Sequence, residues 1–223
     1  MDVHSPFNPP TNNLLKFKND DIGISDRDFL NNKLYLNPNE YKISLENIKS
    51  IKSLYDGEIN FVDEYLGPLY QFLRFKFKNS LIIITADHGE SFFEHGYFNH
   101  QGNIFDELLK VPLFIIEIGK SPKIKRVNEM VQLIDIGATI LDFYGIEIPD
   151  DYNGKSLLPL TEGKTQNRNG YVISECYQKN GVMKRNNEEG YKLISIRTLE
   201  WKYIFDEEKD EELLFNLKKE KRS

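Results

Sequence analysis

Six consecutive residues, Leu81-Ile82-Ile83-Ile84-Thr85-Ala86, constrain this chain more than any other stretch. The run is apolar, rich in β-branched residues and free of polar alternation. That pattern predicts a strand buried on both faces, as in the sheet of an α/β protein. It stops at Asp87-His88-Gly89-Glu90. In an open α/β sheet, ligands sit beyond the carboxyl ends of the strands, so Asp87 and His88 stand where chemistry is done. A carboxylate beside an imidazole is an O/N donor pair for a divalent cation, and Gly89 lets the backbone turn sharply behind them. The same pair also suits a simple capped turn. A second apolar run, Val111 to Ile116, reads as the neighbouring strand. His95 and His100 lie between the two runs, and the fourth histidine of the chain is His4.

Composition narrows the class. The 223 residues suffice for one sizeable core with a small appended subdomain. Hydrophobic content of 39% and charged content of 29% describe a soluble globular chain. A net charge of −6 argues against a nucleic-acid surface but is neutral toward a small anionic substrate, which responds to local charge. A single cysteine, Cys176, excludes an intrachain disulfide and a Cys-rich zinc site; it reads as a small buried apolar side chain. No run reaches the length of a membrane span.

The remaining segments surround that central stretch. Three prolines among the first ten residues make an extended loop that carries His4. Residues 11–41 are polar and read as a surface excursion, including Asp20-Asp21-Ile22-Gly23, a solvated loop. Ile43 to Phe77 reads as a helix, with Ser44 and Asn47 at its start. Its second half carries an apolar stripe of Ile59, Phe61, Val62, Tyr65, Leu66, Leu69, Phe72 and Leu73, expected to cover the sheet. Gly67-Pro68 should interrupt or kink it. Glu117 to Asn128 is a polar connection. Met130 to Tyr144 reads as an amphipathic helix with Leu133, Ile134, Ile136, Ile140, Leu141 and Phe143 inward, Asp135 in a helix-start or loop-binding role, and Gly145 as its C-cap. A polar linker, Thr161 to Gly170, precedes short strands at Tyr171–Ser174, Tyr191–Arg197 and Trp201–Phe205, with a turn at Asn180-Gly181. These form a small antiparallel sheet.

Several of these pieces resemble one family. Thr85-Ala86-Asp87-His88-Gly89-Glu90, then Glu94-His95-Gly96, then Gln101-Gly102-x-x-Phe105-Asp106-Glu107-x-x-Lys110-Val111-Pro112-Leu113 resembles the second signature region of the sulfatases, within the alkaline-phosphatase superfamily. Asp2-Val3-His4-Ser5-Pro6-Phe7 resembles that family's Asp-x-His-x-Pro-Tyr segment, with Phe7 in the tyrosine position. Tyr55-Asp56-Gly57-Glu58-Ile59, Leu133 to Leu141, Gly154 to Leu160, Arg197-Thr198-x-x-Trp201-Lys202 and Glu212 to Leu217 resemble further landmarks. The resemblance implies a partial alkaline-phosphatase-like α/β sheet flanked by helices over residues 1–163, then a small antiparallel β subdomain over 164–223.

It also implies a chemistry: metal-dependent hydrolysis of a small sulfate ester. Asp87 and His88 match a metal-ligand pair for a divalent cation, calcium first, with manganese or zinc suggested by the imidazole. His4 matches a substrate-facing histidine. His100 and Gln101 fall where many members place a sulfate-contacting lysine; Gln101 would lose that positive charge, and His100 would restore it when protonated. His95 reads as structural. The family's formylglycine arises from a Cys/Ser-x-Pro-x-Arg motif, and no such motif occurs in this sequence. The family's Asp-Asp metal motif is also unmatched, since Asp20-Asp21 lacks a preceding apolar strand. The chain is therefore expected to be a fragment lacking the nucleophile and half the metal site, inactive alone, and to expose a sheet edge prone to self-association. A phosphodiester or phosphonate monoester hydrolase, a phosphoethanolamine-type transferase, or an inactive relic or binding module remain alternatives. The compartment stays open, cytoplasmic for the chain as written.

Overall fold

Ser44 starts the longest element. Its side chain accepts from the Asn47 N–H at 3.1 Å, and Asn47 Oδ1 accepts from the Ser44 N–H at 3.1 Å. This reciprocal capping box satisfies two of the orphan donors at a helix start. The computed structural model describes residues 3–17, 43–100, 102–120, 126–164, 166, 168–179, 182–183 and 191–219. The Asp20-Asp21 loop, Gln101, part of the polar connection after Lys120, and the Asn180-Gly181 turn lie outside the described residues. The helices are α1 (Thr11–Leu14), α2 (Leu45–Lys76), α3 (Asp106–Leu109), α4 (Ile134–Phe143) and α5 (Leu158–Thr161). The strands are β1 (Ser80–Thr85), β2 (Ser91–Phe92), β3 (Phe98–Asn99), β4 (Leu113–Ile118), β5 (Val172–Lys179), β6 (Val182–Met183), β7 (Tyr191–Arg197), β8 (Trp201–Asp206) and β9 (Glu211–Asn216).

The chain forms two units. The first comprises Met1–Phe77 and Glu90–Asn99. Its core is Phe7, Leu14, Ile51, Leu54, Phe92 and Phe98, each worth roughly 1.5–3 kcal/mol when fully buried. Tyr55 meets the Phe7 and Phe92 rings edge-on, with centroids 5.4 and 5.1 Å away. The N-terminal segment is extended, and Ser5, Phe7 and Pro9 are buried while His4, Pro6 and Asn8 are exposed. Two contacts fix it to α2. The Asn8 N–H donates to Glu58 at 2.6 Å, and a Cβ on Gly57 would stand 2.9 Å from Pro9. One expectation fails here and another is narrowed. Residues 11–14 form a helical turn rather than surface loop, because Leu14 is drawn into the core. The long helix runs unbroken through Gly67 and Pro68. Pro68 removes a single ladder donor, and the residues around it are exposed, where water solvates the freed carbonyl. The β2–β3 pair adds a hairpin, with Gly96 at φ 81° in its turn.

The second unit comprises Lys78–Gly89 and His100–Ser223. The two apolar runs do pair: β1 and β4 are antiparallel, from Ser80 opposite Ile118 to Thr85 opposite Leu113. Burial on both faces is not met. Leu81 to Ile84 are only half-buried and Phe114 is exposed, because two strands cannot cover both of their own faces. Among the described residues no other strand joins this pair. In α4 the inward face is Asp135, Ala138 and Thr139, whereas Leu133, Ile134 and Ile140 are exposed. The reason is polar. The Asp135 carboxylate accepts from the Gln132 and Lys155 N–H groups, both at 2.8 Å, and from Arg168. The Thr139 hydroxyl accepts from the Leu157 N–H at 2.9 Å. The 154–157 loop is thereby stitched onto the helix, so close that a Cβ on Gly154 would lie 2.3 Å from the Ile134 carbonyl oxygen. Gly145, just past the Tyr144 C-cap, takes φ 66° and ends the helix.

The C-terminal strands form one antiparallel sheet in the order β6-β5-β7-β8-β9. Alternation along β8 buries Lys202, Ile204 and Asp206, so one face is covered. Cys176 on β5 is half-buried. The expected boundary at 163/164 falls within this second unit.

Candidate functional site

The β1 strand delivers Asp87 and His88 just past its carboxyl end, as its sequence requires. Asp87 Oδ1 accepts from the His88 N–H at 3.0 Å, which orients the carboxylate. His88 Nδ1 lies 2.9 Å from the Gly89 carbonyl oxygen. A carbonyl is only an acceptor, so in the neutral ring the proton sits on Nδ1 and the lone pair on Nε2. That Nε2 is 3.9 Å from Asp87 Oδ1. The Asp87 side chain is 90% exposed. Two donors of the right type therefore lie close together and open to solvent, which fits one side of a divalent-cation site. Among the described residues, no group of three or more His, Cys, Asp or Glu side chains converges as a metal site.

The turn is held by His100 and by residues 102–108. The His100 ring stacks on His88 with centroids 4.5 Å apart and an interplanar angle of 27°. The Gly89 N–H donates to the Leu108 carbonyl at 2.8 Å. A Cβ on Gly89 would stand 2.0 Å from the Glu107 carbonyl oxygen, so only glycine permits this approach. Three of the sequence-derived residues, Asp87, His88 and His100, are thus brought together. His4 lies in the first unit, exposed, with Nδ1 2.6 Å from the Ser5 carbonyl oxygen. Gln101 lies outside the described residues. His95 is at the exposed tip of the β2–β3 turn.

One cluster escaped the sequence reading. Asp106, the first residue of α3, accepts from Arg197 Nε at 2.9 Å and from Lys202 Nζ at 2.8 Å. Lys202 is 2% exposed. Burial alone would raise the Asp106 pKa, but Lys202 and Arg197 outweigh it and hold the carboxyl below its usual range. Burial likewise pulls the Lys202 ammonium below the usual lysine range. A signal was present. Arg197 and Lys202 stand directly opposite each other across β7 and β8, and apposed like charges are destabilising unless a counter-charge lies nearby.

The described residues thus form a mixed α/β chain, with an Asp-His turn at the end of a two-stranded apolar pair and a separate small antiparallel sheet. Two family models match: Sulfatase over residues 1–146, and the C-terminal model of N-sulphoglucosamine sulphohydrolase over residues 93–223. The chain belongs to the sulfatase family. It is 29% identical over 184 residues to an arylsulfatase of Clostridium perfringens, covering 77% of this chain and 38% of that protein. It is 31% identical over 172 residues to arylsulfatase K of Canis lupus familiaris, covering 73% of this chain and 30% of that protein. Its fold is similar to a phosphonate monoester hydrolase from Silicibacter pomeroyi, with a TM-score of 0.69 and 23% identity, covering 83% of this chain and 38% of that one. The chain thus spans about a third of the length of the curated relatives it matches.

Proposed function

We propose that these residues form part of a metal-dependent sulfate-ester hydrolase, with residues 1–163 contributing to the catalytic domain and 164–223 forming a β subdomain. The observation that carries this reading is the turn after β1, where the Nδ1 contact to the Gly89 carbonyl leaves His88 Nε2 free to coordinate beside the Asp87 carboxylate. Asp87 and His88 are the metal ligands in this reading. His4, His100 and Gln101 contact the anionic ester group, His4 and His100 also serving the chemistry. The cation is calcium, with manganese or zinc favoured if the imidazole dominates selection. When bound, it would polarise the ester oxygens and stabilise developing charge. The chain's own contribution is to place two donors on a rigid turn and set an imidazole against them.

In this reading a nucleophile and further ligands are supplied by residues beyond these 223, since the sequence holds no Cys/Ser-x-Pro-x-Arg motif and two donors hold a hard cation weakly. The 223-residue chain is therefore expected to turn over an aryl sulfate no faster than buffer, while binding manganese measurably by calorimetry. Asp87→Ala should weaken that binding at least tenfold. Turnover lost on Asp87→Ala would overturn the requirement for outside residues, and binding unaffected by Asp87→Ala would overturn the ligand assignment. The imidazole ligand also supports a second reading, a phosphonate monoester or phosphodiester hydrolase. Comparative turnover of aryl sulfates and phosphonates by a preparation that holds the nucleophile would separate the two.

We further propose self-association. The β1–β4 pair has no third strand among the described residues, and its backbone edges are complementary to those of a second copy. Sedimentation velocity is expected to show concentration-dependent oligomers, reduced by Ile83→Lys. A sharp monomer peak at all concentrations would refute this.

A further inference from the structure

Three features stand apart from the Asp87 turn: the small polar cavity beside Asp135 and Arg168, the apolar groove on α2 lined by Phe61, Tyr65 and Leu69, and the buried ions of the second unit. The first is filled by its own ion pair, and nothing shows what covers the second. The third leads back to the site.

We propose that Asp106, gripped by Lys202 and Arg197, is a positioning residue for the Asp87–His88 turn, so that the C-terminal sheet sets the geometry of a site carried by β1. The path is short. Lys202 on β8 and Arg197 on β7 hold the Asp106 carboxylate at 2.8 and 2.9 Å. Asp106 is the first residue of α3, and the Phe105 ring before it packs edge-on against Phe215 of β9 at 5.8 Å. Two residues beyond Asp106, the Leu108 carbonyl receives the Gly89 N–H at 2.8 Å. Six residues before Asp106, the His100 ring lies on His88 at 4.5 Å. The turn is thus gripped at its imidazole and at its glycine by one segment, and that segment is anchored between the two grips. The glycine has no freedom to absorb error, because the Glu107 carbonyl already occupies the space of a Cβ. A shift of α3 is transmitted directly to Gly89. Groups that orient metal-binding side chains from behind typically change affinity 10–100-fold when altered.

The experiment uses the full 223-residue chain with labelled histidine. The ring resonances of His88 and His100 are followed in Lys202→Met, in the milder Arg197→Lys, and in Lys202→Arg, which keeps the buried cation. His4 and His95 serve as internal controls. His88 and His100 are expected to move together in Lys202→Met and Arg197→Lys, with His4 and His95 fixed and Lys202→Arg near the parent. Manganese Kd should rise about tenfold in the first two. This affinity arm rests on the proposed metal ligands, whereas the ring arm does not. If manganese fails to bind the parent chain, the ligand reading falls and the ring signals still decide the positioning role. His88 and His100 signals unmoved in Arg197→Lys, whether or not Lys202→Met folds, would overturn it.

Discussion

Asp135→Ala is expected to destabilise the second unit by about 3–5 kcal/mol, the range for stripping one partner from a buried ion pair. The Asp135 side chain is 2% exposed and Arg168 10% exposed. Removal leaves the guanidinium without its carboxylate and takes one acceptor each from the half-buried Gln132 and the solvent-accessible Lys155 amides, a smaller loss because water can replace it. The 154–157 loop loses the tie that holds it to α4. Against a typical total of about 5–15 kcal/mol, this approaches global unfolding. Urea denaturation gives the measurement. A double-mutant cycle with Arg168→Met should be strongly sub-additive, because the second change removes the stranded charge. Additive losses would mean that the pair is energetically idle.

Asp106→Asn is expected to cost a similar amount at neutral pH, again about 3–5 kcal/mol, since the Lys202 ammonium loses its counter-charge. Its pH signature differs. The folded carboxyl lies below its usual range, since Lys202 and Arg197 more than offset burial. A carboxylate with a depressed folded pKa contributes stability above its unfolded value, about 3.9. That contribution disappears as the pH falls through the lower folded value. Thermal midpoints of the parent should therefore drop steeply below about pH 4, while Asp106→Asn starts lower and falls less over that window. Parallel curves for the two would show that Asp106 is not the group responsible.

What could be read from sequence was local. Ser44 and Asn47 announced the start of α2, Gly145 the end of α4, and the apolar run before Asp87 the strand that carries the site. Alternation from Trp201 to Asp206 gave a one-sided strand. What escaped was decided at a distance. Leu14 turns inward because residues of α2 wait for it, and β2 and β3 are too short, at two residues each, to leave a periodic signal. The apolar face expected of α4 is displaced by Asp135 and Thr139, whose partners lie up to 33 residues away. The Asp106 cluster was invisible for the same reason, although all three residues sat inside recognised landmarks. Of the candidate site, the Asp87–His88 pair and the nearness of His100 were legible; the grip of Leu108 on Gly89 was not.

The Arg197–Lys202 pairing also bears on the order of folding. The β7–β8 connection spans only residues 198–200, so this hairpin could close within microseconds by itself. Doing so would bring two cations face to face with no anion between them. The carboxylate that reconciles them is 91 and 96 positions earlier in the chain, and closing so long a loop is slow. Apposed like charges cost roughly 0.2–1 kcal/mol, so the hairpin is expected to reach full stability only once α3 has docked. Contacts formed after the transition state govern the rate of escape from the native state. On that ordering, neutralising Asp106 is expected to speed unfolding more than it slows folding.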